Sequence, residues 1–367
     1  MNPLNGASPG KIVLITGAGG CIGSALARMV VRSGAKLLLL LDHSEQNLYE
    51  IDSELSAGGS SSHVPILGDI ADEVLLDEIL EKHRPDTIFH AAAFKHVPLM
   101  EVNPLAVIRN NVLGTWSLAM AALRHGVRQL VMISTDKAVN PRSVMGAAKR
   151  VAELVLLRLS TRATRMSGLR LGNVLGSNGS VVPLFKAQIA RGGPVTVTHP
   201  EARRYFVSLP ETVDLILAAA ALNEDAGILI PELSAPVGIV ELANRLIHEA
   251  GWRPGEIEIV YTGLRPGDKL TEDLISAAEW LEPTSDDRLR KINGPRPSPK
   301  RLDSAMEVIS ESARGRNLAP LIETLYELVP EYQPSETLLA LVNDNAIRRG
   351  AASAYREAEG CAPKTQP

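Results

Sequence analysis

Four consecutive residues, Ser134-Thr135-Asp136-Lys137, set hydroxyl, carboxyl and amino groups side by side, and Lys149 follows shortly after. Groups of these types hold and move protons. The whole stretch from Ser134 to Arg150 reads STDKAVNPRSVMGAAKR. An apolar run, Gln129 to Ile133, precedes it and has the character of a buried parallel strand. A helical pattern, Val144 to Leu157, follows it, and Met145 and Lys149 lie four apart on one face. A strand, a turn at Asn140-Pro141 and a helix therefore gather the polar groups at the strand's carboxyl end. Ligands of open α/β sheets bind at that end. Taken alone, Asp136-Lys137 is a solvated charge pair at a strand end.

The elements before this stretch build a frame for it. Lys11 to Thr16 (KIVLIT) reads as a strand, and Gly17-Ala-Gly-Gly-Cys21-Ile22-Gly23 as a turn into a helix. Gly17, Gly20 and Gly23 allow close backbone approach, and the helix N-terminus can receive a pyrophosphate. Cys21 and Ile22 fall within that dinucleotide-binding turn. Lys36 to Leu41 is a second strand ending at Asp42. An acidic residue at this distance accepts from an adenosine ribose hydroxyl and repels a 2′-phosphate, which favours NAD over NADP. The competing reading makes Asp42 a turn or N-cap residue. Further strands are expected at Val64–Leu67, before Asp69-Ile70, and at Thr87–His90. The small residues Ala91 and Ala92 then let the backbone pass close to the cofactor, while Lys95 and His96 are candidates for the rim of the site. Pro104 to His125 reads as one long helix carrying Asn111. The alternation of strands and helices predicts an α/β, doubly wound parallel (Rossmann) sheet.

Beyond the strand at Met166 to Arg170 the texture changes to a Gly/Asn-rich loop, GNVLGSNGSVVP, and a set of short elements. The expected division is an NAD-binding domain over 10–172, with a later contribution from about 205–232. A smaller C-terminal α/β substrate domain takes 173–204 and 233–345, and 346–367 form a disordered tail. Composition narrows the function classes. With 367 residues, 45% apolar, the chain can build one large or two medium domains. A net charge of −4, a pI near 6.1 and 4% aromatic residues argue against a nucleic-acid surface. Two cysteines give neither a disulfide framework nor metal-ligand spacing, so no metal is expected and a reducing cytoplasm fits. No apolar run reaches the ~18 residues that cross a bilayer, and the N-terminus lacks a signal-peptide pattern.

The segments TGAGGCIGS, HAAAFKHVPLME, NNVLGT, STDKAVNP, MGAAKR, RLGNVLGSNGSVVPLF, TVTHPEARRYF and TGLRPGDKL together resemble the UDP-N-acetylglucosamine 4,6-dehydratases. These form the CapD-type polysaccharide-biosynthesis branch of the extended short-chain dehydrogenases. The resemblance runs in order from about residue 10 to 280. It implies oxidation at C4 of a UDP-sugar by bound NAD, loss of water across C5–C6 and return of hydride to C6. By resemblance, Asp136 is the acid at C6 and Lys137 the base at C5, which requires a partly deprotonated amine. Thr135 bonds the C4 oxygen, and Lys149 binds the nicotinamide ribose. Asp69 and Ile70 lie at the adenine, and Asn111 stabilises a helix kink. Lys95, His96, Asn173, Ser180, Val181, Arg204, Arg265 and Glu272 are assigned to the substrate, the arginines to the diphosphate and Glu272 to the uridine ribose. A bland alternative makes Asn111 a polar residue of a helix face and the arginines surface charges.

One position departs from most of the superfamily. The catalytic Tyr four residues before Lys149 is Met145, whose thioether has no exchangeable proton. The resemblance therefore points to the Met-containing subgroup, with retention at C5. There the C4 proton leaves through Thr135, Asp136 or a water held by Lys149. That subgroup is typically membrane-anchored, whereas this sequence shows no such run. A C5-inverting dehydratase and a UDP-hexose 4-epimerase are the alternatives among enzymes. Outside enzymes the alternative is a catalytically silent NAD-binding regulator. By analogy with this fold, the long helices Pro104–His125 and Val144–Leu157 pair two copies into a homo-oligomer, a dimer or higher.

Overall fold

Residues 12–293 supply nine hydrogen-bonded strands to one sheet, counted among the described residues. They are β1 (Ile12–Thr16), β2 (Leu37–Asp42), β3 (His63–Leu67), β4 (Thr87–His90), β5 (Gln129–Thr135), β6 (Arg165–Leu171), β7 (Ile228–Pro231), β8 (Trp280–Pro283) and β9 (Leu289–Asn293). The order across the sheet is β8-β9-β7-β6-β5-β4-β1-β2-β3. From β7 to β3 every pairing is parallel, and the β8–β9 hairpin adds two antiparallel strands at one edge. This is a computed structural model describing residues 10–360 other than 61, 178, 223–226 and 233–234, with side chains to residue 349.

The central strands are buried on both faces, which is why they read as unbroken apolar runs. Leu14, Leu39, Leu41, Ile88 and Leu130 point to one core. Their neighbours Val13, Leu38, Leu40, Phe89 and Val131 point to the other. Helices Glu73–His83, Thr115–Arg124 and Val144–Leu159 cover the first face, and Cys21–Arg32, Glu45–Ala57 and Leu209–Ala221 the second. The sheet is therefore doubly wound, as expected. Strand order reverses between β1 and β4, and their carboxyl ends open the crevice where such folds hold ligands.

Three expectations change. The single helix over Pro104–His125 is a helical turn, Pro104–Val107, then a π-helical stretch, Ile108–Gly114, then the helix Thr115–Arg124. Asn111 sits in the π-helical stretch, where such irregularities often mark functional sites. The domain division also shifts. Strands β8 and β9 join the main sheet, although 233–345 had been given to the substrate domain. Their sequences, WLEP and LRKIN, mix polar and apolar residues because they form a sheet edge. The smaller unit has its own core of Phe185, Ile189, Val195, Val197, Leu242, Leu246 and Ile257. Finally, the helix Glu336–Gly360 runs through most of the expected tail. Its Ala, Arg and Glu content favours helix, and residues 361–367 lie outside the described residues.

The helices Pro299–Arg314 and Leu318–Leu328 bear on the expected pairing of two copies. Leu302, Met306, Ile309, Leu321 and Leu325 pack into the same apolar cluster as the helix Val144–Leu159. That helix is buried along nearly its whole length. This chain's own C-terminal helices thus pack against one of the two helices expected to pair copies. Among the described residues, no helix is long and apolar enough to cross a membrane.

Candidate functional site

The carboxyl end of β1 enters the glycine turn with Gly17 at φ 67°. A Cβ on Gly23 would lie 2.0 Å from the Gly17 carbonyl oxygen, so the helix Cys21–Arg32 can approach the turn only with glycine there. Its N-terminus carries no acidic residue in the first turn and no side-chain cap at Gly20. The free N–H groups and the helix dipole suit a phosphate. Asp42, buried at the end of β2, accepts from the Gly19 N–H at 2.9 Å and the Ser44 N–H at 2.9 Å. It thereby holds the glycine turn as well as ending the strand. Cys21 and Ile22 are half-buried beside it, Ile70 is buried, and the exposed Asp69 accepts from the Ala71 N–H. These residues fit a dinucleotide.

The loop after β4 is fastened from behind. Ala91 donates its N–H to the Thr16 carbonyl, and Ala92 lies against Gly17. Asn111 brackets Phe94, accepting its N–H at 2.9 Å and donating to its carbonyl at 2.9 Å. Its role is to fix this loop, and Lys95 and His96 project from the fixed segment as exposed residues. The His96 ring packs against Gly179, so it meets the loop carrying Ser180 and Val181. Behind them, buried His90 links Thr16 at 2.7 Å and Thr115 at 2.9 Å. Thr115 gives its own proton to the Asn111 carbonyl, so His90 Nε2 is the donor and Nδ1 the acceptor. Burial, with Lys149 nearby, pushes His90 down to about 3 and keeps it neutral.

The polar residues after β5 do come together. Asp136 is fully buried. Its Oδ1 accepts from the Thr135 hydroxyl at 2.9 Å and from Lys137 Nζ at 3.0 Å. Its Oδ2 is buried without a partner. Burial pushes this carboxyl above its ordinary range despite Lys137 beside it, and the Glu272 carboxylate adds to the rise. Lys149 Nζ donates to the Ile133 carbonyl at 2.8 Å, and burial lowers the amine to about 8. Met145 is 2% exposed and belongs to the apolar core, so it offers no group for proton transfer.

Three assignments are corrected. Burial alone would favour a neutral Lys137, but the Asp136 and Glu272 carboxylates outweigh it and hold the amine above its ordinary value. The partly deprotonated amine expected from sequence is not its resting state. Arg204 turns its guanidinium onto the carbonyls of Arg203, Lys269 and Leu270 at 2.7 to 2.9 Å. It braces the GLRPGDKL loop instead of facing open space for a diphosphate. Glu272 is 3% exposed, 3.5 Å from Lys137 Nζ and 3.3 Å from Lys269 Nζ. A ribose hydroxyl has no open approach to it there. By contrast Arg265 is exposed on the same loop beside Asp268, and Asn173 accepts from Lys137 Nζ at 3.2 Å. Ser180 stands at the N-terminus of the helix Val181–Ala190 with its hydroxyl buried and unpartnered. Asn178 of that loop lies outside the described residues.

Sequence reasoning missed a buried charge network under the site. Glu153 accepts from the Ser134 hydroxyl at 2.7 Å, from Arg150 at 2.9 Å and twice from Arg170 at 2.8 Å. Arg170 also bonds Glu279 twice and the Leu274 carbonyl. The network ties β5, β6, the Lys149 helix and the segment bearing Glu272 together. A carboxylate three and four residues after Arg150 and Lys149, within an otherwise apolar helix, was the available signal. Glu101, fully buried, was missed too. It accepts the Val144 N–H at 2.7 Å and so caps the start of the Lys149 helix.

Comparison with known proteins accords with this geometry. The capsular polysaccharide biosynthesis protein CapD of Staphylococcus aureus is 47% identical over 273 residues, 73% of this chain and 46% of that protein. The probable polysaccharide biosynthesis protein EpsC of Bacillus subtilis is 44% identical over 274 residues, 74% of this chain and 46% of that protein. The chain thus spans about half the length of either relative. The crystal structure of Pen from Bacillus thuringiensis superposes with a TM-score of 0.72 at 28% identity, covering 79% of this chain and 91% of that one. Residues 13–293 match the family described as polysaccharide biosynthesis protein, and the chain belongs to that family.

Proposed function

We propose that this chain dehydrates UDP-N-acetylglucosamine to UDP-2-acetamido-2,6-dideoxy-4-keto-hexose, with retention at C5. The glycine turn and Asp42 would hold NAD, which when bound would supply the acceptor for hydride from C4 and its source for C6. The observation that carries the reading is Asp136: a buried carboxyl pushed towards its protonated form, joined to both a hydroxyl and an amine, with one oxygen unpartnered. Proton delivery to a leaving hydroxyl needs such an acid. A 4-epimerase loses no water and has no use for it.

The residues divide the work as follows. The C4 hydroxyl proton passes to Thr135 Oγ1, whose own proton passes along its hydrogen bond to Asp136. Asp136 then protonates the C6 hydroxyl, which leaves as water. This route dispenses with a Tyr at position 145. Lys137 takes the C5 proton and returns a proton to the same face, which gives retention. Lys149, lowered towards neutrality, bonds the nicotinamide ribose. Arg265, His96 and the Ser180–Val181 helix start bind the UDP portion, the first through phosphate-matched guanidinium geometry.

The test is incubation of the purified protein with UDP-N-acetylglucosamine in deuterated water, followed by NMR and mass spectrometry. Loss of one water with deuterium at C5 supports the reading, and the H5 couplings decide retention against inversion. Unchanged substrate in the presence of bound NAD would refute it.

A further inference from the structure

A base at C5 must be neutral when it acts, yet Lys137 rests between two carboxylates that keep its amine charged. Either Lys137 is not the base, or its proton has somewhere to go. Its hydrogen bonds lead to Asp136 and Asn173. Asn173 cannot take a proton at neutral pH. Asp136 is spoken for, because it must itself be protonated to act at C6. The remaining neighbour is Glu272 Oε1, 3.5 Å from Lys137 Nζ.

We infer that Glu272 is a positioning residue for the dehydration, storing the Lys137 proton while the amine acts at C5. The inference rests on the dehydratase reading above. The charged groups that face the pair come from three segments. From the turn after β5 come Asp136 and Lys137 themselves. Lys269, on Glu272's own segment, lies 3.3 Å from Oε2, and Arg204 Nε lies 4.0 Å from Oε1. These two cations, with Lys137, hold the Glu272 carboxyl below its ordinary range, so a proton stored there returns readily to the amine. Lys137 is 22% exposed before substrate binds. A bound sugar excludes that water, and a desolvated ion pair gains by neutralising.

The protons balance. Oxidation at C4 releases one proton, which reaches Asp136 through Thr135. Lys137 passes one proton to Glu272 and becomes a neutral amine. The amine takes the C5 proton as the C6–O bond breaks, and Asp136 gives its proton to the departing hydroxyl. After hydride reaches C6, the Lys137 ammonium protonates C5, and Glu272 returns its proton to the amine. Asp136 and Glu272 end as carboxylates and Lys137 as ammonium, ready for another cycle.

The experiment compares wild type, Glu272→Gln and Glu272→Asp at saturating NAD and UDP-N-acetylglucosamine across pH, with reduced-nicotinamide absorbance followed in single turnovers. Glu272→Gln should lower kcat at neutral pH by about 100-fold, within the range of proton-transfer catalysis, with KM little changed. It should still complete the C4 oxidation and stall there, with the absorbance building up. Raising the pH should restore its rate about tenfold per unit, because Lys137, 22% exposed before the sugar binds, then enters the complex already neutral. Glu272→Asp, which keeps a proton acceptor, should retain more activity. A Gln variant with kcat within threefold of wild type would overturn the inference. So would a raised KM with normal kcat, the mark of a ribose contact. Equal losses in both variants that no pH restores would leave only a structural role and also overturn it. Wild type that releases no water removes the reaction itself and overturns both readings, whereas active wild type with a normal Gln variant overturns this one alone.

Discussion

Replacing Arg170 with Met tests how far the buried charge network holds the site together. Arg170 is fully buried and uses all five N–H donors, four on the carboxylates of Glu153 and Glu279 and one on the Leu274 carbonyl. Methionine fills similar length but leaves two buried carboxylates with Arg150 as their remaining shared cation, at 2.9 and 3.2 Å. Removing one partner of a buried pair costs about 3–5 kcal/mol. At ~2.1 cal/mol/K of unfolding entropy per residue, a chain of 367 residues then melts about 4–7 °C lower. A pH signature accompanies it. Glu153 is buried, but Arg170, Arg150 and the Ser134 hydroxyl bring it down to about 2. A carboxyl depressed in the folded state contributes stability above its unfolded value that disappears as pH falls through its folded value. For Glu153 that window runs from its ordinary value of 4.5 down to about 2. In Arg170→Met the folded value rises, so the acid-induced loss of structure should begin at higher pH. Thermal melts from pH 3 to 8, monitored by circular dichroism, read both effects. Melting within 1 °C of wild type at neutral pH, roughly 1 kcal/mol or less by the same scale, would refute the argument.

Other outcomes follow from single features. Asp136→Asn should abolish water release by at least about 100-fold while leaving NAD binding intact by fluorescence titration; retained dehydration would remove Asp136 as the acid. Gly23→Ala places a Cβ 2.0 Å from the Gly17 carbonyl oxygen, so dinucleotide affinity should fall by more than about tenfold, and unchanged titration curves would contradict the fit. A chain ended after residue 298 loses Leu302, Met306, Ile309, Leu321 and Leu325 from the shared core. It should aggregate in size-exclusion chromatography, and a monodisperse truncated chain with a normal melt would show that these helices are not part of the folding unit.

The sheet and the glycine turn were legible because each element carried its own signal. β2 is LLLLLD, and its doubly buried position demands such a run. Thr135, Asp136 and Lys149 were placed correctly because a strand end and a helix face fix their positions. The misreadings involve partners distant in sequence. Arg204 looks like a phosphate ligand until the carbonyls of residues 269 and 270 fold over it. Glu272 looks like a ribose contact until β5 brings Lys137 above it. Likewise β8 and β9 carry no alternation that announces membership of the main sheet: β8 is the edge strand and exposed along its length, and β9 lies between it and β7. The π-helical turn at Asn111 depends on its bond to Phe94, seventeen residues away, and no local propensity encodes that.

The C-terminal helices also bear on how the chain is made. The helix Val144–Leu159 is complete early in synthesis, yet residues that cover its outer face span 302–328. At ribosomal rates of about 5–20 residues per second, that face waits roughly ten to thirty seconds for its cover. Over the same interval β7 awaits β9, its antiparallel neighbour. A nascent chain therefore carries the Lys137–Lys149 region on a half-dressed scaffold. Chaperone capture or translational pausing between residues 160 and 300 would act on that species.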